Sequence, residues 1–251
     1  MLEVKNLAKR YGNKTVVDDV SLQISKGTIT SFIGPNGAGK STLLSMMSRL
    51  LTPCEGEVWI EEREIGSYKS NDLAKKISIL KQSNHIQVRL TIRELVSFGR
   101  FPYSQGRLIK EDWEHVDEAI RYLELEEIQH KYLDQLSGGQ RQRAYIAMVL
   151  AQNTDYILLD EPLNNLDMRH SVQIMKALRK MVDELGKTVL IVIHDINFAS
   201  CYSDYLVALR DGKVIKEGTA TDVMDHAILK EIYDMDIQIQ DIEEKKIAIY
   251  F

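Results

Sequence analysis

Gly34-Pro35-Asn36-Gly37-Ala38-Gly39-Lys40-Ser41 decides how this chain is read. The stretch fits G-x-x-x-x-G-K-[ST] in full. Residues 28–33 before it are rich in β-branched and apolar types and follow Lys26-Gly27, which predicts a buried strand. From Ser41 onward the pattern is helical, with Leu43, Leu44, Met47 and Leu50 on one stripe and Pro53 and Gly56 ending it. A strand, a glycine loop and a helix form the context in which this motif holds phosphate. The glycines let successive N–H groups curl inward, and the helix start adds partial positive charge. Lys40 is expected to reach β- and γ-phosphates, and the Ser41 hydroxyl to ligate Mg²⁺.

Upstream, Leu2, Val4 and Asn6 alternate with Glu3, Lys5 and Leu7, predicting a short strand that turns at Tyr11-Gly12 into a second one over 16–24. These suggest a small antiparallel sheet feeding the central strand. Downstream, strands are predicted at 58–60 and Ile77–Leu80. From Asn84 to about Gln152 no strand pattern appears, and Trp113, Val116, Ile120 and Leu123 share one helix face. Residues 83–152 therefore read as a helical subdomain inserted into a single domain spanning 1–251. Strands at 156–159, 189–193 and 206–209 then alternate with helices Met168–Leu185 and Ile196–Tyr202, arguing for a parallel α/β sheet. Asp211-Gly212 signals a hairpin, and Ile237, Ile239 and Ile242 followed by Ile247, Ile249 and Phe251 signal another that closes the chain.

Two further stretches carry chemistry. The apolar run Tyr156-Ile157-Leu158-Leu159 ends in Asp160-Glu161, where ligands bind in parallel sheets. Asp160 is suited to orient Mg²⁺. Glu161, on the opposite side of the strand, is suited to polarise an attacking water. Leu136-Ser137-Gly138-Gly139-Gln140 precedes a helix expected over 141–152, and Ser137 with two glycine N–H groups forms a second phosphate cradle. Two copies arranged head to tail could each close the other's site.

Composition narrows the classes. The 251 residues carry 32 Lys+Arg against 37 Asp+Glu, a net charge of −5, so no basic face for nucleic acid is expected. The longest apolar run, 144–151, is eight residues, where a bilayer span needs about 20. Cys54 and Cys201 are far apart, as in intracellular chains with incidental thiols. The start Met1-Leu2-Glu3-Val4-Lys5 lacks the order of a secretion signal.

These residues together resemble the ATP-binding subunit of an ABC transporter, over nearly the whole chain. Residues 34–42, from Gly34 to Thr42, resemble its Walker A loop, 157–160 its Walker B strand and 136–140 its signature. The resemblance implies an α/β P-loop NTPase fold with a mixed sheet core, an N-terminal antiparallel β subdomain and an inserted helical subdomain. It also implies roles by position. Tyr11 resembles the aromatic that stacks on adenine, and Gln82 the glutamine that touches Mg²⁺ or the attacking water. His194 resembles the switch histidine on the γ-phosphate. Asp167 resembles the acid that communicates across an ATP-sandwich homodimer, although Asn164-Asn165 stands where the commoner family form has Ser-Ala. The other five histidines read as surface groups.

Within the family, residues 91–103, 164–170 and 194–197 resemble iron–siderophore and vitamin B12 importer ATPases. The stretches 95–103 and 132–170 look closest to Gram-positive siderophore systems, including petrobactin import. The implied activity is ATP hydrolysis, with ATP and Mg²⁺, energising uptake of a ferric siderophore. The implied partners are membrane permease subunits and, through them, an extracytoplasmic binding protein, with this chain peripheral on the cytoplasmic face. The length leaves no room for the C-terminal regulatory domain of sugar-type relatives. Rival readings are a soluble iron–sulfur-assembly ABC ATPase, an exporter ATPase, or an importer ATPase for cobalamin or another metal chelate. Gln140-Arg141-Gln142-Arg143 argues against the first, whose members usually carry an acid and a lysine there.

Overall fold

The computed structural model describes residues 1–82 and 88–250. Asn84 and the rest of 83–87, at the expected start of the helical insertion, lie outside the described residues. The strands are β1 (Leu2–Tyr11), β2 (Lys14–Ile24), β3 (Ile29–Ile33), β4 (Glu55–Ile60), β5 (Arg63–Glu64), β6 (Ile77–Leu80), β7 (Tyr156–Asp160), β8 (Thr188–Val192), β9 (Tyr205–Arg210), β10 (Lys213–Gly218), β11 (Gln238–Ile242) and β12 (Lys245–Ile249). The principal helices are α1 (Lys40–Met47), α2 (Ser70–Leu73), α3 (Ile92–Ser97), α4 (Phe101–Ser104), α5 (Lys110–Tyr122), α6 (Gly138–Ala151), α7 (Met168–Leu185), α8 (Ile196–Tyr202), α9 (Ala220–Val223) and α10 (His226–Tyr233).

The central sheet has the order β10-β9-β3-β8-β7-β6. Its strands are parallel except β10, which pairs antiparallel with β9 as the Asp211-Gly212 signal predicts. Every residue of β3, β7 and β8 is buried, as covered parallel strands require. The period-2 alternation of β7 shows what covers them. Tyr156 and Leu158 join a core with α1 and the antiparallel sheet β2-β1-β4-β5. Ile157 and Leu159 join a second core with Leu95, Ile120 and Ile146 of the helical block and with Met175 and Leu178 of α7. The sheet is thus a shared wall that fixes the helical block and the glycine loop relative to each other.

Three local expectations change. Asn6 has φ of 48°, a bulge that breaks the alternation of β1 and turns Leu7 into the core at 0% exposure. Helix α1 ends at Met47, and Leu50 is left 49% exposed instead of continuing its stripe. Helix α6 begins at Gly138, three residues before the expected start. Among the described residues no helix is long and apolar enough to cross a membrane.

One buried ion pair pins the helical block together. Arg100 Nε donates to Asp112 Oδ1 at 2.9 Å, and the side chains are 4% and 5% exposed. A second Arg100 nitrogen donates to the Ala151 carbonyl at 3.0 Å, one of the orphan acceptors at the end of α6. Asp112 Oδ2 accepts the Ile109 N–H at 3.1 Å and so caps α5. Burial alone would raise the Asp112 pKa. The Ile109 N–H and the Arg100 guanidinium outweigh it and hold the carboxyl below the usual range. Arg100→Ala is expected to cost about 3–5 kcal/mol, because it strands a buried carboxylate. Denaturant unfolding measures this, and a loss below about 1 kcal/mol would remove the pair from the account.

Candidate functional site

Four of the chemistry-bearing stretches meet at the C-terminal ends of the parallel strands, the ligand side of such sheets, and the stretch 136–140 is not among them. β3 runs into Gly34, β7 ends at Asp160, β8 ends two residues before His194, and Gln82 follows β6.

Two glycines of the loop are required by close approach. Gly34 has φ of 138°, and a Cβ there would lie 2.1 Å from the Leu209 carbonyl oxygen. Gly39, at φ 99°, starts α1, and a Cβ there would lie 2.4 Å from the Val16 oxygen. Lys40 is 5% exposed and donates to the carbonyls of Gly34 at 2.7 Å and Pro35 at 2.9 Å. Burial lowers its pKa, and the charges of Glu161 and Asp160 offset part of that. The ammonium therefore rests on backbone carbonyls that phosphate oxygens can replace. Val16, Asn36, Gly37, Ala38, Gly39, Lys40, Ser41, Thr42 and Glu161 line a single pocket around it.

Ser41 Oγ donates to Asp160 Oδ1 at 2.6 Å. Burial raises the Asp160 pKa, while the Ser41 hydrogen bond and the Lys40 charge pull it back. This oxygen-only pair fits a hard cation. Mg²⁺ is commonly held by one or two protein oxygens with phosphates and water completing its shell. Among the described residues no group of three or more His, Cys, Asp or Glu could hold a metal.

Glu161 departs from the expected strand geometry. β7 stops at Asp160, and Glu161 has φ of 51°, a left-handed conformation that is uncommon and costly for glutamate. Its N–H donates to the Val192 carbonyl at 3.1 Å, tying it to β8. Its carboxylate collects three partners. Gln82 Nε2 donates at 2.7 Å, His194 Nε2 lies at 2.8 Å, and Asn164 Nδ2 donates as well. The Glu161 side chain is only 10% exposed, against 39% for His194. With Glu161 ionised, the His194 proton is required on Nε2. Gln82, expected also among the metal ligands, is turned to Glu161 and makes no hydrogen bond to Ser41 or Asp160.

The second cradle is a capping box. Ser137 Oγ accepts the Gln140 N–H at 3.3 Å, and Gln140 Oε1 accepts the Ser137 N–H at 3.1 Å. This box starts α6 at Gly138 and leaves Gly138 and Gly139 in its first turn, whose N–H groups have no partner inside the helix. The turn 164–167 runs alongside, with the Asn165 oxygen and Leu166 Cδ2 both 3.8 Å from where a Gly138 Cβ would be. Asp167 caps α7 through the His170 N–H at 2.9 Å and lies 2.8 Å from His170 Nδ1. The His170 ring fills the space beside Gly139, where a Cβ would meet it at 2.3 Å. His170 is therefore not the surface group expected, and His115 is also half-buried. His85 lies outside the described residues.

Tyr11 is 53% exposed at the end of β1, with the Lys9 ammonium 5.5 Å from its ring centroid. It is not packed away. It belongs to the same hairpin as Val16, which lines the pocket.

Residues 17–164 match the family model described as ABC transporter. The chain belongs to the ABC transporter family. It is 64% identical to the petrobactin import ATP-binding protein YclP of Bacillus subtilis, over 100% of both chains. It is 43% identical to the iron(3+)-hydroxamate import ATP-binding protein FhuC of the same organism, over 95% of this chain and 89% of that one. Among solved structures, a dimeric ATP-binding cassette in a post-hydrolysis state, bound to ADP and Pi, aligns at TM-score 0.77 and 36% identity. That alignment covers 88% of this chain and 99% of the other.

In this ABC transporter chain the sequence reading missed Asn164 and His170 as site neighbours. The signal for Asn164 is its i+3 spacing from Glu161, since its N–H also donates to the Glu161 carbonyl at 3.2 Å in a turn.

Proposed function

We propose that this chain is the ATP-hydrolysing subunit of an ABC importer that energises ferric-siderophore uptake, with petrobactin-type chelates as cargo. The observation that carries the hydrolytic reading is the convergence of Gln82, Asn164 and His194 on Glu161, beside Lys40, Ser41 and Asp160. The cargo reading is supported by the full-length likeness to YclP.

On this reading Lys40 exchanges the Gly34 and Pro35 carbonyls for β- and γ-phosphate oxygens, joined by the amides of 34–42. Ser41 and Asp160 would hold Mg²⁺, which would neutralise phosphate charge. Glu161 accepts a hydrogen bond from the attacking water and orients it in line with the γ-phosphorus, while His194 contacts the γ-phosphate. The exposed ring of Tyr11 takes adenine. Gly138 and Gly139, with Ser137 and Gln140, meet the γ-phosphate of a second copy, and Asp167 lies at the contact between copies. Closure excludes water and release of phosphate reopens the dimer. Residues 83–152 act as the inserted unit that Gln82 couples to the sheet. Phe98 and Phe101, 51% and 61% exposed on that unit, supply an apolar face for the membrane permease. The permease in turn receives chelate from an extracytoplasmic binding protein, so the chain works peripherally on the cytoplasmic face of the membrane.

Disrupting the gene tests the cargo. Uptake of labelled iron supplied as ferric petrobactin is expected to fall to background, while uptake of a ferric hydroxamate and of cobalamin persists. Unchanged petrobactin uptake in a strain without a redundant system would overturn the cargo assignment.

A further inference from the structure

Two residues past His194 the chain enters α8, and α8 is fastened to the far end of the sequence. Asn197 Nδ2 donates to the Ala248 carbonyl at 3.1 Å, and the Ala248 N–H donates to Asn197 Oδ1 at 2.7 Å. The side-chain amide thus makes the reciprocal pair that a neighbouring strand would make. Ser200 Oγ adds a bond to the Lys246 carbonyl at 2.6 Å. Ala248 and Ser200 are 2% and 3% exposed, so one end of each bond is shielded from water. Neither piece is stable alone. β11 and β12 form an isolated two-stranded sheet, and α8 has seven residues. The hairpin takes its place from α8, and α8, whose Ile196 and Ala199 sit in the core, is clamped on its other side by the hairpin.

His194 hangs between two anchors. On the sheet side, the Ile193 N–H donates to the Phe32 carbonyl at 3.2 Å. On the other side, Asp195 Oδ1 accepts the N–H groups of Asn197 at 2.8 Å and Phe198 at 3.1 Å and so caps α8. The first anchor is the rigid sheet. The second is the docking of α8, which Ile196 and Ala199 make on the core side and Asn197 makes on the hairpin side. The ring of His194 has to be held 2.8 Å from Glu161 across this span.

We infer that Asn197 is a positioning residue for ATP hydrolysis, which locks α8 onto the C-terminal hairpin and thereby sets where His194 stands relative to Glu161 and the γ-phosphate. The inference rests on the hydrolytic role proposed above for His194. It gives β11 and β12 a function that their place at the end of the chain does not suggest.

Asn197→Ala is expected to lower kcat by roughly 10-fold to 100-fold, the scale of a misplaced catalytic group, with KM for Mg-ATP near that of the parent. Asn197→Asp keeps the acceptor for the Ala248 N–H and is expected to recover part of the loss. The deciding measurement is the same substitution in a His194→Ala background. If Asn197 acts through His194, Asn197→Ala adds no further loss to the residual rate there. Equal fold-losses in both backgrounds, or an unchanged kcat in the single variant, would overturn the inference and leave the functional reading intact. Full activity of His194→Ala alone would instead overturn the role of His194, and this inference with it.

Discussion

Glu161→Gln binds ATP as the parent does and hydrolyses it about 10²–10⁴ times more slowly; that is the outcome expected from the removal of a positioned general base. The substitution is close to isosteric, and the left-handed backbone at φ 51° carries the same cost for either residue. Fold and nucleotide affinity therefore survive. The change falls on the hub itself. A carboxylate accepts from Gln82, His194 and Asn164 together. An amide presents an NH₂ in place of one oxygen, so at least one of these donors faces a donor and turns away. The amide also takes no proton from water. His194→Ala and Asn164→Ala leave the carboxylate in place and are expected to lose less. Steady-state hydrolysis at saturating Mg-ATP, run beside equilibrium nucleotide binding, measures both halves. Gel filtration with ATP is expected to find the variant accumulating as a dimer. Parental turnover in Glu161→Gln would sink Glu161 as the base.

Much of this site was legible because of topology. Gly34–Ser41, Gln82, Asp160-Glu161 and His194 each follow a run that reads as a buried strand. In a parallel sheet the residues after such strands share one edge. Strand ends alone point to Gly34–Ser41 and Asp160-Glu161, whereas the family resemblance singles out Gln82 and His194, which follow such strands as well. What escaped the reading depended on single backbone angles or on very long-range contacts. Asn6 at φ 48° inverts the alternation of β1 and moves Leu7 into the core, and no period-2 count detects a bulge. The left-handed turn at Glu161 takes its carboxylate off the strand's alternation and brings Asn164 within reach. Helix α6 starts three residues before Arg141 despite the poor helix propensity of Gly138-Gly139, because Ser137 and Gln140 form a capping box that overrides it. The clip between Asn197 and Ala248 joins residues 51 apart, and periodicity carries no information at that range.

Lys40→Ala separates binding from turnover in the opposite sense. In the chain as it stands, the Lys40 ammonium is buried and satisfied by the Gly34 and Pro35 carbonyls, at 2.7 and 2.9 Å. That arrangement keeps a charge in a place where burial lowers its pKa. Polyphosphate repays the cost by exchanging two neutral acceptors for two anionic ones. If each charge-assisted contact contributes about 1.5 kcal/mol, losing both costs about 3 kcal/mol, or roughly a hundredfold in affinity. Folding without nucleotide is expected to suffer little. The Pro35 carbonyl keeps the Ala38 N–H at 3.2 Å as a donor, and a buried charge has been removed. Lys40→Arg is not a rescue, because a planar guanidinium does not fit the point-charge position between two carbonyls of one tight loop. Thermal unfolding with and without Mg-ATP reads this directly. A ligand that binds only the folded state raises the midpoint by an amount that grows with ln(1 + L/Kd), where L is the free ligand concentration. Glu161→Gln should keep that shift while losing turnover, and Lys40→Ala should lose the shift while keeping its nucleotide-free midpoint. A parental shift in Lys40→Ala would mean that the loop amides alone hold the phosphates, and that Lys40 serves the loop's own geometry instead of the nucleotide.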